Sequence, residues 1–193
     1  MKIIPARKTD APAIARTVMM AVGDEISLSF AGTPDRLPLV TEVFTRLAES
    51  ENSQYSYTNT LVALTPEGKV AGAIVSYDGA ELHRLRREFI SVANEVLGMD
   101  MREEEFTDET SSDEVYLDSL CVFPEYRGQK LAGRLIEAAC RRHVDAGKPV
   151  GLLVDPDNPR ARRLYESLGF REVGQRPFAG VMMHHMQLMQ QDC

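Results

Sequence analysis

The sequence predicts one α/β (α+β) domain with helices flanking a mixed sheet, and three observations carry that prediction. Strand-like runs alternate with segments of helical periodicity along the chain. Two strand runs within residues 58–77 are joined by the turn sequence TPEG, which makes an antiparallel hairpin. No internal repeat or low-complexity linker divides the 193 residues, so a single domain over 1–193 is expected.

The elements follow in order. Lys2 to Ala6 reads as a short strand. Thr9 or Asp10 offers a helix N-cap, with Pro12 near the first turn. Ile14, Val18 and Val22 recur at helical spacing until Gly32, Pro34 and Pro38 break the segment. A second helix, from about Leu39 to Ala48, puts Val40, Val43, Phe44 and Leu47 on one side. Thr58 to Leu64 and Lys69 to Tyr77 are the hairpin strands. Residues 80–97 look helical, with Leu82, Leu85, Phe89, Val92 and Val96 apolar.

From Asp100 to Glu114 the chain turns acidic, DMREEEFTDETSSDE. This stretch reads either as a solvated, mobile connection or as a lip facing a substrate. EVYLDSLCVF, Glu114 to Phe123, is the clearest strand. After the loop PEYRGQK a long helix runs to about Ala146, ended by Gly147 and Pro149. Val150 to Val154 is the next strand. Asn158–Pro159 opens a helix through Leu168, closed by Gly169. Phe170 to Val173 and Val181 to Leu188 finish the sheet.

Lys and Arg number 22 against 29 Asp and Glu, a formal charge of −7. A nucleic-acid partner is not expected, because displacing phosphate counterions needs a basic face. An acidic body suits a cationic substrate, and it equally serves solubility. Cys121, Cys140 and Cys193 form no close pairing, which suggests free thiols in a reducing compartment. No apolar run approaches ~20 residues, so no membrane span is expected. The N-terminus lacks the apolar core and cleavage site of a secretory signal, so the cytoplasm is the expected location.

Two motifs carry chemistry. Arg127 and Gly128 lie where a strand hands over to a helix, where unpaired N–H groups and the positive dipole end collect. That combination suits a diphosphate. Gly128 permits close backbone approach, Ala132 and Gly133 keep the first turn small, and Arg127 adds charge. Short glycine-containing loops before helices also occur with no ligand. Neither G-x-x-x-x-G-K-[ST] nor G-x-G-x-x-G is present.

The second motif is NPRARRLYESLGF, Asn158 to Phe170. Asn158 can cap the helix, with Pro159 at its first position. Ala161, Leu164, Tyr165 and Leu168 share one helical face, so Tyr165 also reads as a core aromatic.

Together the motifs resemble those of the GNAT N-acetyltransferase family. PEYRGQKLAGRLIEAA is similar to the signature R/Q-x-x-G-x-G/A, and NPRARRLYESLGF to N-x-x-A-x-x-L-Y-x-x-x-G-F. One departure stands out: Lys130 replaces the middle glycine, pointing to solvent, toward the diphosphate, or into the site.

The resemblance implies a mostly antiparallel sheet splayed between two central strands, with acetyl-CoA as co-substrate in the cleft and no metal. It implies that the backbone of Leu120, Cys121 and Val122 pairs with the pantetheine arm. It implies that Arg127, Gly128, Gln129, Lys130, Leu131, Ala132 and Gly133 hold the diphosphate. Asn158 contacts the arm or only caps its helix. Tyr165 lies near the sulfur as the acid for the departing thiolate, with a phenol near 10 facing a thiol near 8.5.

Strand alternation puts Glu114, Tyr116, Asp118 and Leu120 on one face and Cys121 on the other. By resemblance the Asp118 face looks into the acceptor cleft, which makes Asp118 the candidate base, direct or through water. An unperturbed carboxylate near 3.9 is a weak base, so burial or a water relay has to help. Asp118 orienting a cationic acceptor is the equal alternative.

Cys121 has no His beside it in sequence and reads as a small core residue rather than a nucleophile. His184 and His185 read as structural, since a metal needs more ligands. Arg160, Arg162 and Arg163 either solvate their helix or meet the 3′-phosphate of CoA. The expected acceptor is a small-molecule or peptide amine, bound by residues 20–40 and 80–113, the latter a candidate helix–loop insertion. A homodimer is a further option, because family members often pair. The rival expectation, motivated by Lys130 and the lack of a strong base, is a non-catalytic acyl-CoA-binding or regulatory module on the same fold.

Overall fold

The computed structural model describes residues 1–189, so the expected free thiol at Cys193 lies outside the described residues. Strand β1 (Lys2–Pro5) leads into α1 (Ala11–Ala31), which is interrupted at Gly23, and then α2 (Leu37–Glu49). β2 (Thr60–Leu64) and β3 (Val70–Asp78) form the hairpin. Its turn needs Gly68, at φ 81°. α3 (Leu82–Leu97) ends at Gly98 in the left-handed region. Next come β4 (Val115–Val122), α4 (Leu131–Arg142), β5 (Val150–Val154), α5 (Pro159–Ser167), β6 (Arg171–Phe178) and β7 (Val181–Leu188).

Two boundaries differ from expectation. α4 stops at Arg142, and a single 3-10 turn carries the chain on to Ala146. β6 runs on to Phe178 although Gly174–Pro177 has no apolar alternation. Its pairing with β7, from Arg171–Gln187 to Phe178–Val181, extends it.

The seven strands lie in the order β1-β2-β3-β4-β5-β7-β6, all neighbours antiparallel except β4 and β5. α1, α2 and α3 cover one face, burying Ile14, Val18, Phe44, Leu47, Phe89 and Tyr116. α4 and α5 cover the other, over Leu117, Leu135, Ile136, Leu152, Phe170 and Met186. No helix among the described residues is long and apolar enough to cross a membrane.

Two features of β4 position the site. β4 pairs with β5 only at Val115–Val150 and Tyr116–Gly151, so the strands part beyond Tyr116. On its other edge Val75 of β3 faces Ser119 while Ser76 faces Leu117, which leaves Asp118 as an extra, bulged residue.

The bulge corrects the expected alternation. Leu120 packs with the α4–α5 core rather than sharing the face of Tyr116 and Asp118. Cys121 turns to the α1 side, its Sγ 3.8 Å from Met20 Sδ. One inserted residue shifts the period of two by one for everything after it.

The acidic segment is pinned to α3 rather than lying free in solvent. Arg86, 2% exposed, donates to Asp108 at 3.0 Å, to Glu109 at 2.5 Å and to the Thr107 carbonyl. Asn94 exchanges two hydrogen bonds with the Met101 backbone. Phe106 packs edge-on against Phe89.

Candidate active site

The splayed half of β4 runs into a 3-10 turn at Pro124–Tyr126 and then the loop before α4. The backbone N–H groups of Gly128, Gln129, Lys130, Leu131, Ala132 and Gly133 meet no acceptor among the described residues, and the ladder begins with Arg134 N to Lys130 O. Six consecutive free donors at the positive end of a twelve-residue helix are the chemistry a diphosphate requires.

Gly128 has φ 80°. A Cβ on Gly133 would meet Leu168 only at an ordinary 3.8 Å, so this turn has room on its surface. Arg127 turns its Nε to the Val122 carbonyl at 3.2 Å, clasping the end of β4. Lys130 sits at φ 55°, ψ 23°. The position demands a left-handed backbone, which a side chain holds only at a cost of about 1–2 kcal/mol. Its side chain is exposed rather than crowded into the loop.

Asn158 caps α5, its Oδ1 accepting from Ala161 N at 3.1 Å, with Pro159 at the first helical position. Tyr165 is half-buried at the edge of the α4–α5 core, its ring 5.9 Å from Phe170. Its hydroxyl makes no hydrogen bond among the described residues, and burial pushes the phenol up to about 12.

Asp118 is part-buried on the opposite face. Tyr77 Oη donates to its Oδ2 at 3.1 Å and Ser119 Oγ to its Oδ1 at 2.8 Å. Gln54 Nε2 donates to Tyr77 Oη at 3.3 Å and to Glu109 Oε1 at 3.1 Å, and Arg86 grips the other oxygen of Glu109. The chain of groups therefore runs Arg86–Glu109–Gln54–Tyr77–Asp118. Desolvation, and next the negative charge of Glu109, push the Asp118 carboxyl up to about 7, against the hydrogen bonds that favour its ionised form. The phenols of Tyr55, Tyr77 and Tyr116 are all pushed up by desolvation, so they stay neutral, and Tyr77 is the one that donates to Asp118.

Asp118 and Tyr165 thus pack on opposite sides of the sheet, and β4 and β5 are unpaired between them beyond Tyr116–Gly151. Both were singled out as candidates from the sequence. Sequence reasoning missed Arg86, Glu109, Gln54 and Tyr77, which only tertiary contacts bring together. The signal available was a lone arginine on the apolar side of α3, in the run Leu82, Leu85, Arg86, Phe89.

The side chains of the other candidates have these surroundings. Cys121 is buried, and desolvation pushes its thiol up, away from the reactive thiolate. His184 bridges Glu172 and Arg162, while His185 meets buried Glu114 at 2.8 Å. No metal-ligand cluster occurs among the described residues. Arg162 is engaged by Glu166 and Glu172, which leaves Arg160 and Arg163 exposed on that helix.

A family model described as the acetyltransferase (GNAT) family matches residues 38–170. A solved acetyltransferase is 30% identical with a TM-score of 0.76, over 98% of this chain and 99% of its own. A solved N-acetyltransferase of Staphylococcus aureus Mu50 shares the fold at 24% identity and TM-score 0.74, covering 97% and 100%. So does a putative acetyltransferase of Salmonella typhimurium, solved with acetyl-CoA, at 19% identity and TM-score 0.54, covering 98% and 94%. Among curated proteins, the mycothiol acetyltransferase of Nocardiopsis dassonvillei is 52% identical over 66 residues, 33% of this chain. That stretch is 19% of the relative, so this match spans about a fifth of its length.

Proposed function

The chain belongs to the GNAT acetyltransferase family, and on that premise we propose that it transfers the acetyl group of acetyl-CoA to a primary amine by direct attack. The observation that carries this reading is the row of free N–H groups from Gly128 to Gly133 at the end of a strand parted from its neighbour. These residues fit acetyl-CoA: the loop amides for the diphosphate, the Leu120–Val122 backbone for the arm, Asn158 and Tyr165 alongside. Acetyl-CoA supplies an activated acyl carbon and a thiolate leaving group.

Asp118 takes the proton of the acceptor ammonium, directly or through water. From an amine near 10.4 to a carboxylate near 7, the transfer is uphill by about 5 kcal/mol, against about 9 for an unperturbed carboxylate. This supports Asp118 as more than an anchoring charge. A β4 N–H left unpaired by the splay stabilises the developing negative oxygen.

Tyr165 serves the thiolate by a hydrogen bond rather than by giving up its proton. As the C–S bond breaks, the second proton of the attached nitrogen passes to that thiolate, directly or through water. A phenol near 12 donating outright to a thiolate near 8.5 is itself uphill by about 5 kcal/mol. The charge of −7 favours a cationic acceptor over nucleic acid. A cytoplasmic location is part of the same proposal, supported by the buried Cys121 thiol, which forms no disulfide.

The test is a thermal-shift series with acetyl-CoA, followed by its consumption with a panel of amines and peptide N-termini. Ligand at ~100 times its dissociation constant adds roughly 2.7 kcal/mol of stability. Melting indifferent to CoA esters sinks the reading. Binding with no amine ever acetylated favours the non-catalytic module, for which the strained Lys130 is the one remaining argument.

A further inference from the structure

Strand β1 is one edge of the seven-stranded sheet, and among the described residues no strand covers its outer side. The Ala6 N–H bonds the Thr60 carbonyl at 3.0 Å, and the register sets Ile4 against Val62 and Lys2 against Leu64. In an antiparallel pair, alternate residues bond the partner strand and the others turn away from it. Ile3 and Pro5 are therefore the residues that turn outward, presenting the Ile3 N–H and both carbonyls. Such an edge accepts a further strand unless something blunts it.

A trough of about 480 Å³ lies between this edge and α4. Ile3, Pro5, Leu61 and Ala138 supply its apolar walls, and Arg134, Arg141 and Arg142 line it from one face of the helix. Arg134 donates to the Met1 carbonyl at 2.8 Å, and Arg142 donates to the carbonyl of Thr58, near the other end of β1. The strand and the helix thus run the same way along the trough. From Arg134 to Arg142 the helix rises about 12 Å, the reach of three or four residues of extended chain.

The charge of this trough runs against that of the protein. Acidic side chains outnumber basic ones 29 to 22, yet neither Arg134 nor Arg142 has a carboxylate in ion-pair range among the described residues. Arg141 has only Glu137, at 3.9 Å with both side chains exposed. Desolvation lowers the Arg142 guanidinium with no carboxylate to oppose it, whereas Glu95 raises Arg46 and Glu166 raises Arg162.

We infer that the trough receives an extended acidic segment of a partner protein, which adds to the sheet beside β1 and sets its carboxylates on the arginines of α4. Main-chain bonds to Ile3 and Pro5 fix the segment, and charge selects it. The inference stands apart from the transferase reading, because β2 and β3 separate β1 from β4 by about 14 Å at the usual strand spacing.

The experiment measures, by fluorescence anisotropy, binding of a labelled hexapeptide of alternating Glu and Val and of its Gln–Val counterpart. The acidic peptide is expected to bind about ten-fold tighter at low salt, and the gap is expected to shrink at high salt. The protein's net charge repels that peptide, so only a local basic site produces this preference. The double variant Arg134→Gln, Arg141→Gln brings the two peptides within about two-fold. Should that variant not fold, N-methylating the peptide amides on the bonding edge tests the strand geometry on the unaltered protein and abolishes binding. Hydrogen exchange at the Ile3 amide slows on binding.

Equal affinity for the two peptides overturns the inference, as does a preference that survives the double variant or N-methylation. Displacement of the peptide by CoA makes the arginines a nucleotide site and overturns it too. A dimer that protects Ile3 without peptide gives the edge to a second copy of the chain, with the same result.

Discussion

Tyr77 donates its hydroxyl to Asp118 Oδ2 at 3.1 Å, beside the bulge that sets Asp118 apart from the alternation of β4. Behind Tyr77 stand Gln54 and the Glu109–Arg86 pair. If Asp118 is the base, the two ends of this chain move its titration in opposite directions. Tyr77→Phe removes a bond to the ionised form and raises the apparent pKa of kcat/KM from about 7, whereas Glu109→Gln removes a repelling charge and lowers it. Each shift is roughly half to one unit, since about 1 kcal/mol corresponds to ~0.7 unit. Parallel shifts, or none, remove Asp118 from the mechanism.

Glu114, fully buried at the start of β4, accepts from His185, Gln187 and Thr110. Burial pushes its carboxyl up, but those bonds outweigh burial and bring it to about 2 from 4.5. A depressed folded value gives stability that is fully present above pH ~4.5 and is lost as pH falls through about 2. The contribution is roughly 3 kcal/mol at neutral pH. Urea melts of Glu114→Gln against wild type are expected to show that deficit at pH 7 and to converge toward pH 2. Gly151→Ala reaches the same carboxylate sterically, since its Cβ would overlap Glu114, and is expected to destabilise by about 2 kcal/mol or more.

The fold and the glycine loop before α4 were legible because their signals are local. A strand, a turn with Gly128, and a capped helix with Tyr165 four residues after Ala161 can be read from spacing alone. The faces of Leu120 and Cys121 were not legible, because nothing in EVYLDSLCVF marks Asp118 as the inserted residue. Only its pairing with Val75 and Ser76 shows it. Arg86 reaching Glu109 across 23 positions is likewise a tertiary fact. Gly23 was visible in the sequence but sits within an unbroken helical pattern, where a tolerated glycine and a break look alike.

Lys130 carries a left-handed backbone in the midst of a row of main-chain donors that meet no acceptor among the described residues. Lys130→Gly relieves about 1–2 kcal/mol of strain, partly offset by the greater freedom of glycine in the unfolded chain. A net gain of up to about 1 kcal/mol is expected, read as a Tm rise of roughly 2–4 °C. Acetyl-CoA affinity, measured by titration calorimetry, should hold within about three-fold, because removing one exposed ammonium is worth under ~1 kcal/mol. A loss beyond ten-fold would instead make the ammonium a phosphate ligand.

Tyr165→Phe separates a hydrogen bond to the leaving thiolate from simple packing. The hydroxyl has no partner within the described chain, so its removal leaves folding stability within about 0.5 kcal/mol. A bond to a developing anion is worth roughly 1.5–3 kcal/mol, so kcat falls about 10- to 100-fold while acetyl-CoA affinity changes little. Because the phenol lies near 12, its loss moves neither limb of the pH–rate profile below pH ~10. That combination, a lower plateau with unchanged shape, distinguishes a neutral hydrogen-bond donor from a titrating acid. Turnover equal to wild type would reduce Tyr165 to the core aromatic that its helical face alone suggests.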